Sequence, residues 1–136
     1  MSKVLKAGCI LINVKDKTIA LVYRKKQNDY SFPKGHLEHD ESLIECAIRE
    51  TAEETKRDCA ILENKPIYIE EYVTPSGEDV RLYYYLSKDI RPSNNDSKDT
   101  HDVYWVSYDE VENYLSYDSL KVVWNSVKTK IYDYFK

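Results

Sequence analysis

Residues 35–54 read GHLEHDESLIECAIRETAEE, a stretch that combines an early glycine with regularly spaced glutamates. Ser42 and Glu45 form a capping-box pattern, which predicts that a helix begins here. Apolar and small side chains then recur at helical spacing, at Leu43, Ile44, Ala47, Ile48 and Thr51. We therefore expect a helix that buries one face against a core and follows a loop containing Gly35.

The same helix carries Glu50, Glu53 and Glu54 at positions i, i+3 and i+4, so their carboxylates share one face. That face adjoins the apolar stripe, which places three like charges at the edge of the core. Such charges repel one another, more strongly when they are partly buried. A hard divalent cation would remove this repulsion, and oxygen ligands suit Mg²⁺ or Mn²⁺. The alternative is a solvated acidic face paired with Arg49 and Lys34.

The spacing around the glutamates is specific. Five residues separate Gly35 from Glu41, and seven separate Glu41 from the dipeptide Arg49-Glu50, which Glu53 and Glu54 follow. This pattern resembles the Nudix box, which is a glycine, five residues, Glu, seven residues, then Arg-Glu-x-x-Glu-Glu. The resemblance covers nearly the whole chain, because a Trp-containing segment and a further acidic helix start follow downstream, at Tyr104-Trp105-Val106-Ser107 and Glu110.

The resemblance implies a metal site at this helix. Glu50, Glu53 and Glu54 would hold one to three Mg²⁺ ions, for which Mn²⁺ can substitute, together with a backbone carbonyl at Lys34 or Gly35. One of the three glutamates, or a carboxylate from another loop, would be the general base, and we favour Glu53.

Two further residues of the box would support this site. The resemblance implies that Arg49 orients the glutamates by ion pairing and that Glu41 supports them from the start of the helix. Many relatives supply another carboxylate from the loop before the Trp strand. Asp99 and Asp102 are the candidates here, Asp99 being better spaced from Trp105, and an exposed loop acid is the alternative for both.

Candidate substrate-binding residues lie mostly outside the box. Lys34 adjoins the metal loop and could reach a phosphate. Arg24 could add positive potential, although the pattern favours a solvated strand end there. Candidates for stacking on a base are five of the thirteen tyrosines, Tyr30, Tyr72, Tyr83, Tyr84 and Tyr85, and we favour Tyr83 and Tyr85. Alternation along the strand means that some of these rings must face the core.

The sequence departs from the family pattern at the end of the helix. Lys56 and Arg57 stand where relatives have a glycine and then an apolar residue, and Thr51 replaces an apolar residue. The glycine normally ends the helix in a left-handed turn, so this departure concerns the exit from the helix and not the metal ligands.

The rest of the pattern predicts one α/β domain over residues 1–136, with the Nudix box at about 35–57. We expect strands at 4–14 and 18–23, which form a hairpin, and at 66–73, 80–87 and 103–106. A capping box at Ser107 predicts a helix, and a final helix should run from about Ser119 to the C-terminus. The expected fold is an α/β/α sandwich with a mixed sheet and helices on both faces.

Composition and charge argue against several classes of protein. The formal net charge of −4 argues against a binder of duplex nucleic acid. No apolar run reaches membrane-spanning length, and the first residues do not resemble a secretory signal. Three cysteines without a CxxC pair favour reduced thiols in a cytoplasmic protein. Because the sequence does not fix the oligomeric state, we expect a monomer or a homodimer.

The resemblance implies Mg²⁺-dependent hydrolysis of a pyrophosphate bond in a nucleoside diphosphate linked to another moiety. Residues 32–38, FPKGHLE, are similar to the corresponding stretch of diadenosine-tetraphosphate hydrolases, which favours a dinucleoside polyphosphate. Nucleoside triphosphates, ADP-ribose, inositol pyrophosphates and RNA 5′ ends are other candidates. A non-catalytic nucleotide-binding domain, or a plain α/β domain with a chance acidic helix, are alternatives from other classes.

Overall fold

The computed structural model describes residues 3–95, 97–98 and 101–136. The strands are β1 (Val4–Asn13), β2 (Thr18–Arg24), β3 (Asp29–Ser31), β4 (Lys34–His36), β5 (Arg57–Ile61), β6 (Tyr68–Val73), β7 (Asp79–Pro92) and β8 (Asp102–Ser107). The helices are α1 (Leu43–Thr55), α2 (Val111–Tyr114), which directly follows a 3-10 turn at Tyr108–Glu110, and α3 (Asp118–Asp133). Among the described residues, no helix is long and apolar enough to cross a bilayer.

The sheet is mixed and is built around β1 and β7. These two strands run parallel, with Val4 opposite Val80 and Ile12 opposite Lys88. The other pairings are antiparallel, in the order β3-β2-β1-β7-β5, with β4 on β1, β6 on β7 and β8 on β2. The predicted hairpin of β1 and β2 is confirmed, because Ile12 lies opposite Ile19.

Alternation along β1 divides the core between the two faces of the sheet. Ala7 and Cys9 point to one face and are buried with Ala47 of α1. Ile10 and Ile12 point to the other face. There they join the buried stripe of α3, which consists of Leu120, Val123, Trp124, Val127 and Ile131. The predicted α/β/α sandwich is therefore confirmed, with α1 on one face and α3 on the other.

The start of α1 follows the prediction. The Ser42 hydroxyl accepts from the backbone amide of Glu45 at 3.0 Å, and the Glu45 carboxylate accepts from the amide of Ser42 at 2.8 Å. Such a cap stabilises a helix by about 1 kcal/mol and fixes its first residue.

The capping box expected at Ser107 is wrong. Ser107 makes no capping hydrogen bond, and the chain turns there in a 3-10 conformation. The reason is that Ser107 still belongs to β8, and the next amide, that of Tyr108, donates to the carbonyl of Lys17 at 3.0 Å. That bond ties the segment to the turn before β2.

Strand β5 was not predicted from the sequence. Its residues are all half-buried, so no alternation of exposed and buried positions marks it. An ion pair attaches it to β7, because the guanidinium of Arg57 donates to both oxygens of Asp89 at 2.7 and 2.8 Å. Strand β7 also runs to Pro92, beyond the predicted end at residue 87.

The end of α1 keeps the left-handed turn although the family glycine is missing. Lys56 adopts φ 59° and ψ 31°, and its amide donates to the carbonyl of Ala52. The Lys56 Nζ donates to the carbonyl of Ser97 at 2.7 Å. The chain therefore leaves the helix as the glycine would direct it, with the strain carried by a lysine.

This strain predicts the order of stability of two variants at position 56. Lys56→Gly and Lys56→Ala both lose the bond to Ser97, and they differ only in the Cβ atom that crowds a left-handed residue. We expect the glycine variant to be more stable by about 1 kcal/mol in urea unfolding. Equal stability of the two variants would show that the turn is not strained.

Candidate active site

The site begins where β4 passes α1. Strand β4 pairs with β1, so that Gly35 lies opposite Ala7. A Cβ atom added at Gly35 would lie 2.0 Å from the carboxyl carbon of Glu50. The Glu50 carboxylate therefore occupies the space that a side chain would fill, which gives a physical reason for glycine at this position.

Arg49 contacts three of the four glutamates of the box. Its Nε and Nη2 donate to the two oxygens of Glu41 at 2.6 and 3.0 Å. Its Nη1 donates to Glu50 at 3.0 Å and to Glu53 at 2.9 Å, and its Nη2 also donates to the carbonyl of His36 at 2.9 Å. The hydrogen bonds from Arg49 lower the pKa of Glu41. The orienting role predicted for Arg49 stays a prediction, and these are the contacts that it requires.

Glu54 is attached to the β4 strand instead. The backbone amide of Lys34 donates to Glu54 Oε1 at 2.8 Å. Glu50 and Glu53 therefore turn toward Arg49, while Glu54 turns toward Lys34. Two of the three carboxylates thus lie against β4, Glu50 at Gly35 and Glu54 at Lys34.

The electrostatic conflict expected from the sequence is present at Glu50. Burial raises the pKa of this carboxyl, and the neighbouring charge of Glu53 raises it further against the opposing effect of Arg49. Within residues 3–95, 97–98 and 101–136, no three His, Cys, Asp or Glu side chains already surround one metal position. The metal-binding role of Glu50, Glu53, Glu54 and Gly35 therefore stays a prediction.

A cavity of about 520 Å³ opens beside Lys34. Three cationic side chains line it, from Lys6, Arg24 and Lys34, and so do Glu70, Tyr72 and Tyr117. Burial lowers the pKa of Lys34, and the charges of Lys6 and Arg24 lower it further. The cavity therefore has a positively charged wall next to the carboxylates of α1, which suits a phosphorylated ligand.

Arg24 reaches this wall from a buried ion pair. Its Nε and Nη2 donate to the two oxygens of Asp29, each at 2.7 Å, and Asp29 is 1% exposed. These bonds lower the pKa of Asp29 against the opposing effect of burial, and a hydrogen bond with Tyr117 contributes. Asp29 therefore links a cation and an aromatic ring of the same cavity.

The two tyrosines predicted to bind substrate are not in this cavity. Tyr85 is 5% exposed and lies in the core on the α1 face, and Tyr83 packs beside it. Tyr72, another of the five candidates, does line the cavity, together with Tyr117. Alternation along the strand shows which tyrosines share a face, but it does not show which face meets the cavity.

Two acidic residues, Asp99 and Asp102, are the predicted candidates for an extra carboxylate. Asp99 lies outside the described residues. Asp102 belongs to β8, is exposed and pairs with Lys25 at 4.0 Å.

Three residues that line the cavity were not predicted from the sequence, namely Lys6, Glu70 and Tyr117. Each lies in a different part of the chain, so no local motif could join them.

The ion pair of Arg24 and Asp29 predicts a loss of stability in Asp29→Asn. The variant leaves a half-buried guanidinium without its partner, and we expect it to lose about 3 kcal/mol at pH 7 in urea unfolding. Asp102→Asn is the control, because its exposed pair should contribute less than about 0.5 kcal/mol.

The same pair predicts a dependence on pH. The folded pKa of Asp29 lies below its ordinary value of 3.8, so the stabilisation is present above that pH and is lost as the pH falls through the lowered pKa. The difference between wild type and Asp29→Asn should therefore shrink below about pH 4. A constant difference from pH 7 to pH 3 would contradict this interpretation of the pair.

Comparison with known proteins supports a family assignment. A family model described as the NUDIX domain matches residues 3–124. The mRNA decapping complex subunit 2 of Schizosaccharomyces pombe is 35% identical over 101 residues, which cover 72% of this chain and 13% of that protein. The chain thus spans only a small part of the length of this relative.

Solved structures share the fold. A NUDIX hydrolase from Nitrosomonas europaea superposes with a TM-score of 0.77 at 19% identity, over 95% of this chain and 90% of that chain. The Ap4A hydrolase of C. elegans gives a TM-score of 0.71 at 20% identity, over 96% of this chain and 99% of that chain. The match of the family model and the box geometry around Gly35 lead to one conclusion: the chain belongs to the Nudix family.

Proposed function

We propose that this chain is a Mg²⁺-dependent pyrophosphohydrolase that cleaves a nucleoside diphosphate linked to another moiety. One observation carries the proposal. Lys34 lies between the carboxylate face of α1 and the cavity. Its backbone amide donates to Glu54, and its side chain lines the cationic wall of the cavity. A phosphate chain in this cavity would lie beside the carboxylates, where hydrolysis would take place.

The donor set fits a hard divalent cation. Glu50, Glu53 and Glu54 supply carboxylate oxygens, and the backbone of Gly35 lies against Glu50 with no side chain between them. Mg²⁺ bound there would neutralise phosphate oxygens and acidify a water molecule. Arg49, which now binds Glu50 and Glu53, would keep both carboxylates oriented.

The protein side chains would transfer the proton and bind the phosphate oxygens. Glu53 is the proposed general base, because its carboxylate contacts Arg49, whereas Glu50 lies against Gly35 and Glu54 binds the amide of Lys34. It would take the proton of the attacking water. Lys34 and Arg24 would bind phosphate oxygens and offset their charge.

Dinucleoside polyphosphates such as diadenosine tetraphosphate are the substrates that we favour. The similarity of residues 32–38 to that branch and the shared fold with an Ap4A hydrolase support this choice. The protein would then act on a small molecule, in the cytoplasm, as a monomer or a homodimer.

A second candidate substrate is the capped 5′ end of an RNA. The 35% identity to an mRNA decapping complex subunit favours it. Both substrates contain a nucleoside attached to a short phosphate chain, so the same site could accept either. A nucleotide-binding domain without catalysis would bind these ligands and leave them intact.

Glu53→Gln tests the enzymatic proposal. We expect wild type to release products in Mg²⁺ from at least one of diadenosine tetraphosphate, nucleoside triphosphates, ADP-ribose and a capped oligonucleotide. The variant should lose about 10²- to 10⁴-fold in kcat, since the general base is gone. Glu45→Gln is the control on the same helix, because Gln also completes a capping box. Absence of turnover, or full activity of Glu53→Gln, would refute the proposal.

Gly35→Ala tests the metal site separately. Its Cβ would displace the Glu50 carboxylate, so we expect Mn²⁺ to bind about 10- to 100-fold more weakly in calorimetry. Gly77→Ala is the control, since a Cβ there meets open space and costs only backbone strain at φ 92°. Equal Mn²⁺ affinity of wild type and Gly35→Ala would exclude Glu50 from the metal site.

A further inference from the structure

Glu70 is an unexpected carboxylate in the cationic cavity. It lies on β6 opposite Leu82, and its side chain is half-buried. The hydroxyl of the buried Tyr84 donates to its Oε1 at 3.3 Å. Burial raises its pKa, and Lys34 opposes this effect. Among the described residues, Glu70 forms no ion pair within 4.0 Å.

The next residue on the strand has the opposite environment. Glu71 is exposed and pairs with Lys3 at 3.0 Å and with Arg81 at 3.4 Å. Its orientation follows from the alternation of β6, which turns Glu70 and Tyr72 toward the cavity and Glu71 away from it. The two glutamates therefore form a matched pair for experiments.

A carboxylate at this place is unfavourable for a ligand made only of phosphates. It repels phosphate oxygens, and its own burial costs free energy while it lacks enough donors. Both costs are removed if the ligand brings hydrogen-bond donors to it. The phosphate end would then lie at Lys34 and Glu54, and the donor-bearing end at Glu70.

We propose that Glu70 is a specificity-determining residue that accepts two neighbouring hydrogen bonds from the nucleoside part of the substrate. This inference rests on the proposed function. A carboxylate matches the adjacent N–H groups of a guanine edge, or the two hydroxyls of a ribose. Adenine presents an amino group beside an unprotonated ring nitrogen, and that nitrogen would face the carboxylate without a proton. Tyr72, two residues along the same face, offers a ring on which a base could stack.

Glu70→Gln tests this role, with Glu71→Gln as the control. The amide keeps an acceptor for the Tyr84 hydroxyl, and thermal unfolding checks that the fold is retained. We expect kcat/KM for diguanosine tetraphosphate to fall about 10- to 100-fold in Glu70→Gln. It should stay unchanged in Glu71→Gln. Inhibition by inorganic tripolyphosphate, which has no nucleoside, should not weaken in either variant.

A panel of substrates then identifies the donors. A loss for diguanosine but not for diadenosine tetraphosphate assigns the guanine edge. An equal loss for both, which disappears with 2′,3′-dideoxy substrates, assigns the ribose. The inference is wrong if Glu70→Gln leaves every kcat/KM unchanged. It is also wrong if the variant binds all ligands more tightly, tripolyphosphate included, because Glu70 then only offsets the positive charge of the cavity lysines.

Failure of the proposed function can be told apart from failure of this inference. If wild type hydrolyses none of the compounds, the proposed hydrolysis fails. Binding of the same compounds in Ca²⁺, measured by calorimetry, still compares wild type with Glu70→Gln. Weaker binding of the nucleotides alone would support the role of Glu70, and identical binding would refute it.

Discussion

The close contact between Gly35 and Glu50 sets the distance between β4 and α1. It requires β4 to run close to α1, and the pairing of β4 with β1 holds it there. The same approach brings the amide of Lys34 to Glu54 and the carbonyl of His36 to Arg49. A side chain at position 35 would displace the Glu50 carboxylate from the place where these contacts meet.

Negative charge is in excess around this contact. The single guanidinium of Arg49 lies within ion-pairing distance of Glu38, Glu41, Glu50 and Glu53. One positive charge cannot neutralise four negative ones, and the raised pKa of Glu50, which burial and the charge of Glu53 produce, reflects the excess. A site built this way gains stability when positive charge arrives, which is the electrostatic basis for expecting a divalent cation.

Local patterns explain how much could be predicted from the sequence. The capping box at Ser42, the helical stripe of α1 and the β1–β2 hairpin are set by residues close in the chain, and the structure has all three. Strand β5 was missed because its stability comes from a distant partner, as Arg57 binds Asp89. The capping box at Ser107 failed because a hydrogen bond to Lys17 decides the conformation there.

The cavity illustrates a further limit of local patterns. The period of two correctly separates Tyr83 and Tyr85 from Tyr84, but the face that meets the cavity is decided by where α3 packs. Lys6 and Tyr117 reach the cavity from opposite ends of the chain. Such residues become neighbours only through the tertiary fold, and no spacing in the sequence marks them.

The carboxylate face and the cavity wall are built from different segments of the chain. The carboxylate face depends on β4 and α1, which the box specifies almost residue by residue. The cavity wall depends on β6, through Glu70 and Tyr72, and on Tyr117 before α3. Substitutions in the wall would alter the ligand that fits without moving Glu50 or Arg49. The box residues therefore indicate the type of reaction, whereas the residues of the cavity wall indicate which substrate would fit.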